Sequence, residues 1–93
     1  MIANAVFPLG RVDMTSGVHA IVQGGNLNPA TYLRRHATGD WGDLCADDKQ
    51  LNDQSIQGEG RLFSSYEITD QFKLWIITEW DRSVTTLLLP SEY

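Results

Sequence analysis

The stretch that decides the fold runs from Arg61 to Tyr93, RLFSSYEITDQFKLWIITEWDRSVTTLLLPSEY. Leu62, Ser64, Tyr66 and Ile68 point one way, and Phe63, Ser65 and Glu67 the other. This period of two, in a run rich in β-branched and aromatic residues, is the pattern of a half-buried strand. Thr69-Asp70-Gln71 reads as a turn. Phe72, Leu74, Ile76, Thr78 and Trp80 then line one face of a second strand, with Lys73, Trp75, Ile77 and Glu79 on its reverse. Asp81-Arg82 reads as a tight reversal. Val84, Thr86 and Leu88 alternate with Ser83, Thr85, Leu87 and Leu89 until Pro90 ends a third strand. The segment is therefore an antiparallel meander. Its reverse face is expected to carry Trp75, Ile77, Leu87 and Leu89, which is too apolar to stand fully in water, so a second element or a partner should cover it.

Upstream of Gly60 the period is helical. Val18, Ile21 and Val22 recur at helical spacing between Met14 and Gln23, with Thr15 or Ser16 available as a cap and Gly24-Gly25 as a stop. Asn28-Pro29 opens a second helix, since an amide side chain caps it and proline loses nothing in the first turn. Ala30, Leu33 and Ala37 share a face bordered by Tyr32 and His36, Gly39 ends the helix, and Trp41 is expected to fold back as a lid on the core. A third helix begins near Asp43 to Ala46, with Asp47 and Asp48 complementing its positive end and Leu44 and Leu51 facing inward. Val6-Phe7 and Val12, flanking Pro8 and Gly10, suggest a short edge strand. The predicted fold is α+β: two to three short N-terminal helices packed on a three- to four-stranded antiparallel sheet, in one domain over residues 1–93.

Composition narrows the function classes. The chain has 93 residues, 42% of them hydrophobic, enough for one modest core. Its one cysteine, Cys45, forbids an internal disulfide and favours a reducing compartment, so a cytoplasmic location is expected. The opening MIANAVFPLGRVD does not read as a signal peptide, and no apolar run approaches the ~20 residues of a membrane span. Seven basic against twelve acidic residues give a net charge of −5. Binding nucleic acid through its phosphates needs a concentrated basic face, so direct DNA binding is not expected. The acids cluster instead, with Asp40, Asp43, Asp47, Asp48 and Asp53 opposed only by Lys49.

Candidate chemistry is sparse. His36, Asp40, Asp43 and Cys45 are metal-ligand types, but one cysteine and one histidine fall short of a structural zinc set, so no metal and no cofactor are expected. Cys45 as a nucleophile would need His19 or His36 beside it, and nothing in the spacing demands either. The one catalytic arrangement worth carrying forward joins His36 and Arg35 with Ser83 and Thr85, histidine moving a proton and arginine holding charge on a phosphodiester. Small ribonucleases of the barnase and colicin type have that order of helices followed by an antiparallel sheet. The likeness is architectural, and architecture alone carries no activity. The competing reading is recognition: Asp40, Asp43, Asp47 and Asp48 offering carboxylates to a basic partner, and Trp75, Ile77 and Trp80 as apolar anchors.

Four segments, FPLGRV (Phe7 to Val12), RHATGDWG (Arg35 to Gly42), RLFSSY (Arg61 to Tyr66) and LWIITEWDRSVTTLLLPSEY (Leu74 to Tyr93), together resemble a family of small bacterial proteins described as plasmid-related. Some of its members carry the label of a type I restriction endonuclease methylation subunit. At Trp80 the family pattern has alanine. The label does not fit these residues, because Asn28-Pro29-Ala30-Thr31 is not the Asn-Pro-Pro-Tyr type loop of an adenine methyltransferase. The resemblance implies an accessory protein of a mobile genetic element and brings no catalytic residues with it. The expected function is thus non-enzymatic protein–protein binding, for instance as an inhibitor of a host defence complex, with a homodimer through the reverse sheet face.

Overall fold

The computed structural model describes residues 3–93. Strand β1 (Arg11–Met14) is followed by helices α1 (Ser16–Gln23), α2 (Pro29–Ala37) and α3 (Ala46–Ile56). Strands β2 (Leu62–Thr69), β3 (Phe72–Thr78) and β4 (Val84–Leu88) come next, then a 3-10 turn over Pro90–Glu92. The fold is α+β as expected. The local signals act where they were read: the Thr15 hydroxyl accepts from the Val18 N–H, and the Asn28 side chain accepts from the Ala30 N–H ahead of Pro29. Among the described residues no helix is long and apolar enough to cross a membrane.

The sheet is mixed rather than purely antiparallel. Its order is β1-β4-β3-β2, and β1 joins β4 in parallel, so the first strand lies beside the last. The helices are not all the chain has outside the sheet either, since the turn at Pro90–Glu92 follows β4. It is tied back to the start of α1: Glu92 accepts from the Thr15 hydroxyl and the Gly17 N–H, at 2.5 and 3.0 Å.

One reading is inverted. Ile76 faces Leu87 and Thr78 faces Thr85 across the β3–β4 ladder, which puts Thr85 and Leu87 on the helix-covered face with Ile76 and Thr78. Leu87 therefore belongs to the core and not to the reverse face, which receives Val84, Thr86 and Leu88. The cause is the connection. The strands are joined by residues 79–83, closed by Glu79 N–H to Val84 O and Arg82 N–H to Glu79 O, rather than by a reversal at Asp81-Arg82 alone. Strand β3 ends at Thr78, so Trp80 lies in the loop. A one-residue change of register turns every side chain of a strand to the other face.

The core lies between the sheet and the helices. Val18, Leu27, Tyr66, Leu74, Ile76 and Leu87 form its main cluster, and Phe7, Trp41 and Leu62 a second one beside it. Trp41 is the expected lid, stacked on Phe7 at a centroid distance of 6.1 Å. Helix α3 is attached differently from the expectation. Leu51 is 60% exposed, and the buried residue is its neighbour Asn52. One residue is about 100° of helical rotation, and the helix follows the polar contact because it has so little apolar surface of its own. The Asn52 amide donates to Phe63 O at 2.7 Å and accepts from Phe63 N–H at 3.1 Å.

That pair begins a sealing of the β2 edge that runs from Phe63 to the Glu67 N–H. Further along, Ser65 N–H donates to Trp41 O, Asp43 N–H donates to Ser65 O, and Glu67 N–H donates to the Asp43 carboxylate. An edge covered in this way offers no template for another strand. The arrangement requires the backbone at Gly42 to lie against β2 with φ +77°, where an added Cβ would collide with Ser65 O and the Tyr66 ring. Gly42→Ala is therefore expected to lower stability by about 2 kcal/mol or more in urea denaturation. Gly25→Ala, at φ +78° with open space around it, isolates the backbone contribution and should cost about half as much.

Candidate functional site

The residues proposed for catalysis separate into two that join one buried network and two that lie outside it. His36 projects from α2 into the helix–sheet interface, where none of its surface is exposed. Its Nδ1 meets Ser64 Oγ of β2 at 2.5 Å and its Nε2 meets Thr78 Oγ1 of β3 at 2.9 Å. Thr78 Oγ1 lies 2.7 Å from Thr85 Oγ1 of β4, which donates to the carbonyl of Leu9 at 2.7 Å. Ser64, Thr78 and Thr85 are likewise fully buried.

The direction of every proton in this chain follows from counting. A carbonyl only accepts, so the single Thr85 proton is spent on Leu9, and Thr85 must accept from Thr78. Thr78 must then accept from Nε2–H of His36, and in a neutral ring Nδ1 is left as the acceptor for the Ser64 hydroxyl. The network is a one-way relay, Ser64 to His36 to Thr78 to Thr85 to Leu9 O, that admits the neutral Nε2–H tautomer. Desolvation reinforces this, lowering the His36 pKa from 6.5 to about 3. Phe7 and Trp41 close over the ring edge-to-face, at centroid distances of 5.3 and 5.6 Å. Among the described residues no buried side-chain polar atom lacks a partner.

Arg35 and Ser83 lie outside this cluster. The Arg35 guanidinium is paired with Asp40 at 2.7 Å and sits 4.6 Å from the centroid of the Tyr66 ring. Asp40 is held below the usual carboxylate range by its hydrogen bond from Arg35. Ser83 is exposed and donates from both its hydroxyl and its N–H to Asp81. The histidine and the threonine thus share a sealed network without a cation, a carboxylate or access to solvent.

The acidic residues divide in the same way. Asp40 pairs with Arg35, Asp43 caps the Glu67 N–H, and Asp53 accepts from Trp41 Nε1 at 2.8 Å. Asp47 and Asp48 stand exposed in the first turn of α3. Cys45 precedes that helix, exposed, and makes no capping hydrogen bond.

On the reverse face of the sheet the structure forms an apolar groove of about 350 Å³, lined by Arg61, Phe63, Trp75, Ile77 and Tyr93. Phe63 and Tyr93 meet Trp75 edge-on, at 5.0 and 5.8 Å between centroids. Arg61 forms the rim, bonded to the Tyr93 hydroxyl at 3.1 Å and paired with Glu79 at 3.3 Å. Ile77 is almost wholly covered, while Trp80 is 57% exposed in the β3–β4 loop and does not line the groove. Of the three expected anchors, Trp75 and Ile77 come together there and Trp80 stands apart.

Sequence reading missed Ser64 and Thr78, the two hydroxyls that hold His36. Their signal was present: each is a polar residue at a core-facing position of an alternating strand, and such a residue needs a buried partner. Tyr93, Phe63 and Arg61 gave no comparable signal, because only the path of the chain after Pro90 brings Tyr93 across the sheet. No protein-family model, curated protein or solved structure matches the chain.

Proposed function

We propose that this protein is a recognition module that binds another protein through the aromatic groove on the face of its sheet away from the helices. The observation that carries the proposal is the composition of that groove: tryptophan, tyrosine and arginine, the residue types that dominate binding hot spots, converge with Phe63 on an apolar surface open to solvent. Exposed Asp47 and Asp48 and the net charge of −5 favour a partner with a basic rim. The likeness to plasmid-related bacterial proteins supports a role as an accessory of a mobile element, with inhibition of a host defence complex as a special case.

The alternative, a barnase-like ribonuclease using His36 and Thr85, requires an accessible histidine, whereas His36 has no exposed surface. Labelled RNA should therefore survive incubation with the protein; cleavage that is lost in both His36→Gln and Thr85→Val would overturn the ranking. The binding reading is tested with immobilised protein and a bacterial lysate. Trp75→Ala combined with Tyr93→Ala should lower retention of bound proteins about tenfold, with circular dichroism unchanged. Equal retention by the folded double variant would refute the groove as the binding surface.

A further inference from the structure

While the β2 edge of the sheet is sealed, the β1 edge is open. Arg11, Asp13 and Thr15 direct their backbone groups toward β4, as the bonds from Arg11 N–H to Ser83 O and from Thr15 N–H to Leu87 O show. The groups of Val12 and Met14 therefore point outward, and no partner for them exists among the described residues. Val12 is 41% exposed. Beside it runs an apolar groove of about 490 Å³ between this edge and α2, lined by Ala5, Phe7, Pro8, Leu9, Val12 and Leu33 among others. An unpaired edge with an apolar groove beneath it is the geometry of strand addition.

We propose that the added strand is β1 of a second copy, paired antiparallel about a two-fold axis at Val12, so that two four-stranded sheets become one of eight strands. The outward groups of Val12 make Val12 opposite Val12 a hydrogen-bonded pair at the two-fold axis. Arg11 then falls opposite Asp13 of the second copy, twice, at the non-hydrogen-bonded positions where side chains come closest. In the monomer these two residues are already an exposed ion pair on one face, with Arg11 Nη2 3.0 Å from Asp13. Read in opposite directions, Arg-Val-Asp complements itself.

The charges also select the register. Sliding the pair by two residues keeps the outward groups aligned but sets Arg11 against Arg11, or Asp13 against Asp13. Like charges directly opposite are destabilising. A symmetric partner suits an isologous contact, in which the same patch serves both subunits. The Val12 side chains lie side by side over the two grooves and close them into one apolar strip. The aromatic groove around Trp75 stays free in this dimer, so the inference stands apart from the proposed function.

Sedimentation equilibrium over a concentration series tests it. The wild-type chain should dimerise, and Val12→Pro, which removes the central donor, should leave a monomer. Arg11→Asp and Asp13→Arg should each weaken self-association about tenfold, while an equimolar mixture of the two should regain the wild-type mass, because every cross-strand pair is then of opposite sign. Hydrogen exchange at the Val12 N–H should slow only in the dimer. Trp75→Ala should not change the mass. A wild-type monomer at about 0.5 mM, a dimer indifferent to the charge reversals, or a mixture that stays monomeric would each overturn the proposal.

Discussion

Lowering the pH from 7 to 4.5 is expected to remove about 2.5 kcal/mol of folding stability, through His36 alone. In the unfolded chain this histidine titrates near 6.5, whereas in the folded protein burial lowers its pKa to about 3. Between those values the unfolded state binds one more proton than the folded one, so stability falls as the pH falls. The slope approaches 1.4 kcal/mol per pH unit, roughly, once the unfolded histidine is fully protonated. Well above 6.5 both states are neutral and the contribution is complete.

The structural reason is the one-way relay. A proton on Nδ1 would turn the Ser64 hydroxyl from donor to acceptor and place a charge inside a shell of Phe7 and Trp41 that holds no counter-charge. Urea denaturation at half-unit pH steps measures the effect. The onset above pH 5 identifies the histidine, because Asp40, Asp81 and Glu92, whose pKa values are lowered by hydrogen bonds from Arg35, Ser83 and Thr15 respectively, begin to lose their stabilisation only as the pH falls into the ordinary carboxylate range, from 4.5 downward. His36→Gln should be less stable at pH 7 yet flat between pH 6.5 and 4.5. A wild-type profile equally flat in that window would refute a neutral, desolvated His36. The tautomer is checked separately by the nitrogen chemical shifts of the ring, which should report the proton on Nε2.

The second large effect is expected at Arg82, where replacement by alanine should cost about 2–3 kcal/mol and lower the Tm by roughly 10–20 °C. Its guanidinium gathers backbone carbonyls from two parts of the chain. Nη1 donates to Gly60 O, Glu79 O and Trp80 O at 2.6, 3.1 and 3.3 Å, and Nη2 to Ser55 O and Gly58 O at 2.5 and 3.4 Å. Ser55 is in the last turn of α3, whose own last turn carries no basic residue. Arg82 thus supplies, from the β3–β4 loop, the cation that the negative end of that helix favours.

Helix α3 depends on such ties because it buries little apolar surface: Asn52 is its one buried residue. Hydrogen exchange should show α3 losing protection in Arg82→Ala before the sheet does. Arg82→Lys keeps the charge but cannot reach both groups of carbonyls, so it should recover only part of the loss. Arg82 also holds a left-handed backbone at φ +60°, so Arg82→Gly separates the two contributions. Glycine relieves the backbone strain and still forfeits the guanidinium. Unchanged exchange in α3 would mean that the carbonyl bonds merely replace equally good bonds to water.

Local chemistry was legible wherever a residue acts on its own neighbours in sequence. Thr15 and Asn28-Pro29 cap helices because their partners are two or three residues away, and Trp41 reads as a lid because a large apolar residue between two glycines has to be buried somewhere. The facing of β2 and β3 followed from alternation alone. The facing of β4 did not. Its sequence alternates acceptably in either sense, and the choice fell to the length of the loop from Glu79 to Ser83. In the candidate site, His36 and Thr85 were named together for an open catalytic arrangement with Ser83 and Arg35, whereas the true facing of β4 links them through Thr78 inside the helix-covered core and leaves Ser83 outside it.

The sequence by itself determined the composition of the layers: three helices and a short N-terminal strand before Gly60, and a run of strands after it. Periodicity and capping are short-range, and each is settled within a turn or a strand pair. Only the tertiary structure decided that β1 lies parallel to β4, that His36 is a sealed structural group, that the β2 edge is closed and the β1 edge open, and that Tyr93 completes an aromatic groove. These outcomes join residues from 11 to 77 positions apart, where the packing and register of one element on another, rather than any local preference, set which groups meet.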